Sequence, residues 1–325
     1  MNLGGKDTDV AHSLLVVGSI AFDSIRTPHG EAVDVLGGSA VYFSVAASFF
    51  APVRLVGVVG EDFPAQHLEV LTSRRIDTAG LQRVPGGKTF RWRGSYEGTM
   101  NEARTEDVQL NVFGDFRPVI PEAFCASDLV FLANGSPVTQ MSVLDQVEKP
   151  RLVVADTMNL WIEHQLDALR QLLRRVDGLV LNDGEARMLT GETDLARAED
   201  RILRMGPRFV VTKMGSEGSR LAARDLVPAA DGHSNITKTV LPAYSKALVR
   251  DPTGAGDSFA GGMMGCLAGL DHDVGPDDLK VALEYGTVTA SFTIEDFSTR
   301  RLDRLSIDEI DGRLREYRER QRAND

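Results

Sequence analysis

Residues 251–258 read Asp-Pro-Thr-Gly-Ala-Gly-Asp-Ser and run into the apolar stretch 259–268. Gly254 and Gly256 let the backbone turn tightly and approach a ligand with no β-carbon in the way, with only the small Ala255 between them. The stretch from Ser258 to Ala268 predicts a helix. The amides of residues 254–257 then face outward at its positive end, which makes a ready anion site. Asp257 puts one carboxylate inside that pocket, where it can take a proton from a hydroxyl while the amides hold the group under attack. A glycine-rich strand-to-helix turn can also serve packing alone, so the rest of the chain must decide between the two readings.

The chain has 325 residues, enough for one large α/β domain or two medium ones. A formal net charge of −11 and a pI near 5.1 argue against nucleic acid or an anionic membrane as partner. A nucleotide is also an anion, so it would have to be held by local amides, a few cations and a metal. Cys125 and Cys266 fit no metal-ligand spacing and read as reduced thiols of a cytoplasmic protein. No apolar run reaches the ~18 residues of a membrane span. The first residues lack the apolar region of a signal peptide, and residues 1–12 are expected to be disordered.

Short apolar runs at Leu14–Ile20, Val53–Val59, Leu129–Leu132, Leu152–Ala155, Gly178–Leu181 and Phe209–Thr212 predict buried strands. Most are separated by helical stretches, including 39–50, an amphipathic 66–75 and a C-terminal helix over 307–322 with Ile307, Ile310, Leu314 and Tyr317 on one face. Strand–helix alternation implies a mostly parallel, doubly wound sheet covered on both faces. Two segments differ. Residues 22–38 read as a hairpin leading to Gly37 and Gly38. Residues 88–112 alternate at period two over Thr89–Tyr96, then pass a polar turn into a strand over Val108–Phe113. Residues 228–240 read as a loop. Gly86-Gly-Lys-Thr89 is no P-loop tail, because Gln82 stands where its first glycine belongs and a strand follows. Gly261, Gly265 and Gly269 read as a helix packed tightly on the sheet.

From Asp251 to Phe259 the chain carries the form Asp-x-Thr-Gly-Ala-Gly-Asp-x-Phe and so resembles the ribokinase-like, or PfkB, family of carbohydrate kinases, over roughly residues 13–300. The resemblance implies a doubly wound α/β domain over residues 13–325 with a small β-sheet lid, placed at about 22–38 and 88–112. It implies ATP and Mg2+ as cofactors and a small sugar or sugar derivative, phosphorylated on a hydroxymethyl group, as substrate. Asp257 becomes the general base and Gly254, Ala255 and Gly256 the anion hole. Asp23, after the first strand, matches the carboxylate that accepts from sugar hydroxyls, and Gly37-Gly38 the turn that brings backbone close to the sugar. Many members carry asparagine where this chain has Tyr42, a substrate contact or a packing residue. Asn182 and Glu185 match a magnesium-organising Asn-x-x-Glu, which reads equally as a helix cap. Lys213, Gly215 and Gly218 resemble the nucleotide loop, and Asp251 and Thr253 match positions that hold a monovalent cation such as K+. The alternative acceptor is a nucleoside, whose base would stack on Tyr42, Phe90, Trp92 and Tyr96. A catalytically silent ligand-binding regulator is the third reading. A homodimer through the lid is the expected assembly.

Overall fold

The computed structural model describes residues 12–101, 103–224 and 235–324. Among these residues thirteen strands run in chain order: β1 (Leu14–Val17), β2 (Ala21–Thr27), β3 (Gly30–Gly37), β4 (Val53–Gly60), β5 (Ile76–Val84), β6 (Phe90–Tyr96), β7 (Ala103–Gln109), β8 (Leu129–Leu132), β9 (Leu152–Asp156), β10 (Gly178–Asn182), β11 (Phe209–Lys213), β12 (Ser219–Arg224) and β13 (Ile236–Leu241). Nine form one sheet in the order β13-β12-β11-β10-β9-β8-β1-β4-β5, parallel from β5 to β11 and antiparallel beyond. The other four form a separate sheet, β3-β2-β6-β7.

The long sheet is apolar on both faces because helices cover both. Leu14 and Val16 point into one core with helices Ser39–Ala47, Ala255–Leu267, Pro276–Thr293 and Ile307–Asn324. Leu15 and Val17 point into a second, against helices Leu166–Leu173, Asp183–Thr190 and Leu195–Met205. Strand order reverses between β8 and β1. In open α/β sheets the carboxyl ends of the strands at such a switch point border the ligand crevice.

Several expectations are corrected. The first strand stops at Val17, and the chain turns through Gly18 and Ser19 into the small sheet at Ala21. That turn is clasped by Ser19 and Ser39, each amide donating to the other's hydroxyl at 3.3 and 3.0 Å. Asp23 therefore sits on β2, not at the end of β1. The polar residues 103–107 are strand rather than turn, and Asn111–Phe113 is a single 3-10 turn rather than strand. Every residue of β7 is exposed, so no apolar alternation marks it. Ile236–Leu241 pairs with β12 where a loop was expected, and the rest of that loop, 228–234, lies outside the described residues. Ile307 is 45 % exposed and leaves the buried face to Ile310, Leu314 and Tyr317. Gly261 and Gly265 pack on helix Ser39–Ala47, and Gly262 on helix Pro276–Thr293, rather than on the sheet. A β-carbon at 262 would meet Thr289 Oγ1 at 2.6 Å. Of the N-terminal segment 1–12, residues 1–11 lie outside the described residues. No helix among the described residues is long and apolar enough to cross a membrane.

Candidate active site

A cavity of about 430 Å³ opens where the switch point predicts it. Its floor is Val17 to Ser19 after β1 and Leu132 to Gly135 after β8. Thr253, Gly254 and Asp257 form one end, and the small sheet covers it with Asp23, Phe90, Trp92 and Tyr96. Gly38 and Tyr42 also line it, so Asp23, Gly38, Tyr42, Thr253, Gly254 and Asp257 meet in one wall.

The helix Ala255–Leu267 starts three residues earlier than its apolar stretch suggests. Gly254 caps it at φ +74°, with no side chain satisfying the first amides. The Ala255 amide donates to Pro252 O at 3.2 Å, which leaves the Gly254 and Gly256 amides without a partner among the described residues. A β-carbon at 254 would run into the Tyr42 ring, and one at 256 would lie 3.0 Å from Lys213 Nζ. The tight turn thus brings an aromatic face and an ammonium group to the same helix start. Lys213, the last residue of β11, ion-pairs at 3.3 Å with Asp156, the last residue of β9. Burial works against the Lys213 charge, but Asp156, Glu185 and Asp257 outweigh it and hold the ammonium above its usual range. Asp257 is pushed up to about 7, by burial first and then by Asp156, with Lys213 and its own amide pulling the other way.

Asp23 is also pushed up to about 7, by burial and by Asp251 and Asp257, against a hydrogen bond from the Gly38 amide. Gly37 lies so close that a β-carbon there would collide with the Asp23 carboxylate. Gly37-Gly38 therefore makes room for Asp23. Tyr42 is 1 % exposed, its hydroxyl has no hydrogen-bond partner among the described residues, and burial followed by Asp23 and Asp251 pushes its pKa well above the ordinary phenol value. Asp251 is buried, and accepts from the amides of Thr253 at 2.9 Å and Ser298 at 3.4 Å. Thr253 Oγ1 donates to Tyr96 Oη at 3.2 Å.

Asn182 and Glu185 form a reciprocal cap. The Asn182 amide donates to Glu185 Oε2 and the Glu185 amide to Asn182 Oδ1, both at 2.7 Å. Glu185 still faces the site electrostatically. Burial pushes it up to about 7, with Lys213 opposing and Asp156 adding to the rise. Gly215 and Gly218 bracket a 3-10 turn after β11 outside the cavity wall, and Asn101 from the β6–β7 connection reaches Gly215. No three metal-ligating side chains come together among the described residues.

Sequence reasoning missed Asp156, although a carboxylate closing a buried strand is the signal that picked out Asp23. It also missed the far end of the cavity, lined by Phe113, Phe116, Asn134, Gln140, Met158 and Trp161. The rings of Phe90 and Phe113 stack at 5.3 Å, and those of Phe113 and Phe116 at 6.0 Å.

Residues 11–304 match the pfkB family of carbohydrate kinases. A cytidine kinase of Thermococcus kodakarensis is 31 % identical over 255 residues, which are 77 % of this chain and 87 % of the relative. Among solved structures, the Burkholderia thailandensis nucleoside kinase in complex with inosine superimposes with a TM-score of 0.73 at 18 % identity, covering 93 % of this chain and 97 % of that one. A putative ribokinase II from E. coli in complex with ATP and Mg2+ gives 0.72 at 18 % identity, covering 94 % and 99 %. The signature helix, the small sheet over the switch point and the match across most of the chain agree: this protein belongs to the pfkB, or ribokinase-like, family of carbohydrate kinases and is a phosphotransferase with an alcohol group as acceptor.

Proposed function

We propose that this chain transfers the γ-phosphoryl group of ATP to the hydroxymethyl oxygen of a nucleoside. The observation that carries the reading is the division of the cavity. Carboxylates and hydroxyls gather beside the helix start, and aromatic rings line the opposite end. A free sugar is polar all round and would leave Phe90, Trp92, Phe113 and Phe116 facing hydroxyls. A nucleoside carries a polyol at one end and a flat, largely apolar ring at the other. The names of the cytidine kinase and the inosine-bound relative support the same acceptor class over the free sugar that the signature alone suggests.

Asp257 accepts the proton of the attacking hydroxyl. Asp23 and the unpartnered Tyr42 hydroxyl orient the ribose hydroxyls. The amides of Gly254 and Gly256, with Lys213 beside them, face the negative charge of the transferring group, so positioning and electrostatics supply most of the rate. ATP, when bound, supplies the phosphoryl group, and Mg2+ offsets its charge. The free amides, Lys213 and the Gly215–Gly218 turn fit phosphates. With no protein cage for a metal among the described residues, Glu185 and Asn182 would hold Mg2+ through water. Asp251 and Thr253 are assigned to K+, whose test is activity in potassium against tetramethylammonium. The reading includes a homodimer through the small sheet, whose outer strands β3 and β7 each lack a second strand partner among the described residues. Light scattering measures it. It also includes the cytoplasm, in keeping with free Cys125 and Cys266.

The test is ADP release with ATP and Mg2+ across pentoses, hexoses, deoxysugar acids and nucleosides, with Asp257→Asn as control. Turnover is expected with nucleosides. Turnover with free sugars alone overturns the acceptor class, and ATP binding with no turnover on any acceptor favours the silent regulator.

A further inference from the structure

At the ring end of the cavity, three side chains form a fixed chain of polar contacts. Trp161 Nε1 donates to Asn134 Oδ1 at 3.0 Å, and Asn134 Nδ2 lies 3.1 Å from Met158 Sδ. An indole N–H can only donate, so the Asn134 amide must turn its oxygen to Trp161 and its NH2 group elsewhere. A thioether is a weak acceptor, so that NH2 group has no strong partner among the described residues. Asn134, Met158 and Trp161 all line the cavity. The backbone beneath is held too. Gln140 Nε2 reaches the carbonyl oxygens of Leu132, Ala133 and Asp156 at 3.1, 3.1 and 2.9 Å, which ties the segment after β8 to the end of β9. The result is a pre-oriented hydrogen-bond donor on a braced strand end, in the same cavity as the helix start where Asp257 sits.

We propose that Asn134 determines specificity for the ring of the acceptor, donating from its side-chain NH2 to a carbonyl oxygen or ring nitrogen of a nucleobase, and that Trp161 is the positioning residue that aims it. The inference rests on the nucleoside reading. The stacked rings of Phe90, Phe113 and Phe116 offer a flat surface to any planar ring and supply affinity without choice. Asn134 supplies the choice. A site with a built-in donor disfavours a ring lacking the acceptor, because the donor is then left unpaired and shielded from water.

The experiment measures kcat/KM for cytidine, uridine, inosine and the riboside of difluorotoluene, an apolar ring with nearly the shape of a pyrimidine. The wild type should prefer the pyrimidine nucleosides to the apolar riboside by about tenfold or more. Asn134→Leu, which keeps the number and branching of the side-chain heavy atoms, should bring the natural nucleosides down to the level of the apolar riboside. The riboside itself and the KM for ATP should change by less than about twofold. Asn134→Asp keeps an acceptor for Trp161 but has no NH2, so it should show the same selective loss if the leucine variant does not fold. Trp161→Phe frees the amide and should raise KM for the natural nucleosides more than it lowers kcat. A wild type indifferent to the apolar ring, or an Asn134 variant that loses both acceptors equally or neither, overturns the assignment. A wild type inactive on all four ribosides but active on the pentoses or hexoses of the acceptor panel above overturns the nucleoside reading instead.

Discussion

The two ends of the cavity are built in different ways. At the phosphoryl end, groups come from the ends of long-sheet strands or from the first turn of a helix: Asp156 closes β9, Lys213 closes β11, Glu185 sits in the turn after β10, and Asp257 is in the first turn of its helix. Their backbones are held by parallel ladders and by helix hydrogen bonds. At the ring end, Phe90 and Trp92 come from the small sheet, Phe113 from a 3-10 turn, and Asn134 and Trp161 from the segments after β8 and β9. Phosphoryl transfer slows by about 10²-fold when its groups are displaced by about an ångström, so they stand on strand ends and helix starts rather than on loops. Stacking against a flat ring tolerates more, and it can be entrusted to a smaller sheet and to the connections after strands.

That contrast can be broken by mutation. Asp257→Asn should lower kcat by at least ~10²-fold, the low end for loss of a general base, while both KM values stay near normal. The same change should raise Tm. Burial lifts the Asp257 carboxyl to about 7, so above its unfolded value near 4 the charged form disfavours the folded state, and an amide removes that cost. A fall in Tm would mean that Asp257 holds the fold together rather than serving the reaction.

In the wild type, kcat/KM should fall as pH drops below about 7, because Asp257 and Asp23 then take up protons and the base is lost. Asp156→Asn should cost about tenfold in kcat, since Lys213 loses the partner that aims it at the helix start. It should also move the acid limb to lower pH, because Asp156 is one of the groups that keep Asp257 high, after burial. An unmoved limb would separate Asp156 from the base. Smallest is Trp92→Ala, expected to raise KM for the nucleoside by about fivefold through lost stacking, with KM for ATP and kcat little changed. If it depressed kcat as strongly as Asp156→Asn, the two ends would not be independent.

The chemistry of the phosphoryl group was legible at Asp251–Ser258 because eight consecutive residues suffice for it. Two glycines set the turn, the helix start supplies amides, and one carboxylate sits among them. The buried strands from Leu14 to Lys213 were legible for a similar reason, since a strand covered on both faces must be apolar throughout. The exposed β7 and the edge strands β5 and β13 were not, because a strand with a solvated side need not show that pattern. Local order also misplaced Asp23, because nothing in Gly18–Asp23 says that the chain leaves one sheet at Val17 and joins another at Ala21. The residues themselves determined the reaction class and the parallel core. Only the tertiary structure brought together Asp156 and Lys213, 57 positions apart, and Asn134 and Trp161, 27 apart. Those pairs meet because β8, β9, β10 and β11 lie side by side in the sheet, a property of the whole sheet that no short window of sequence contains.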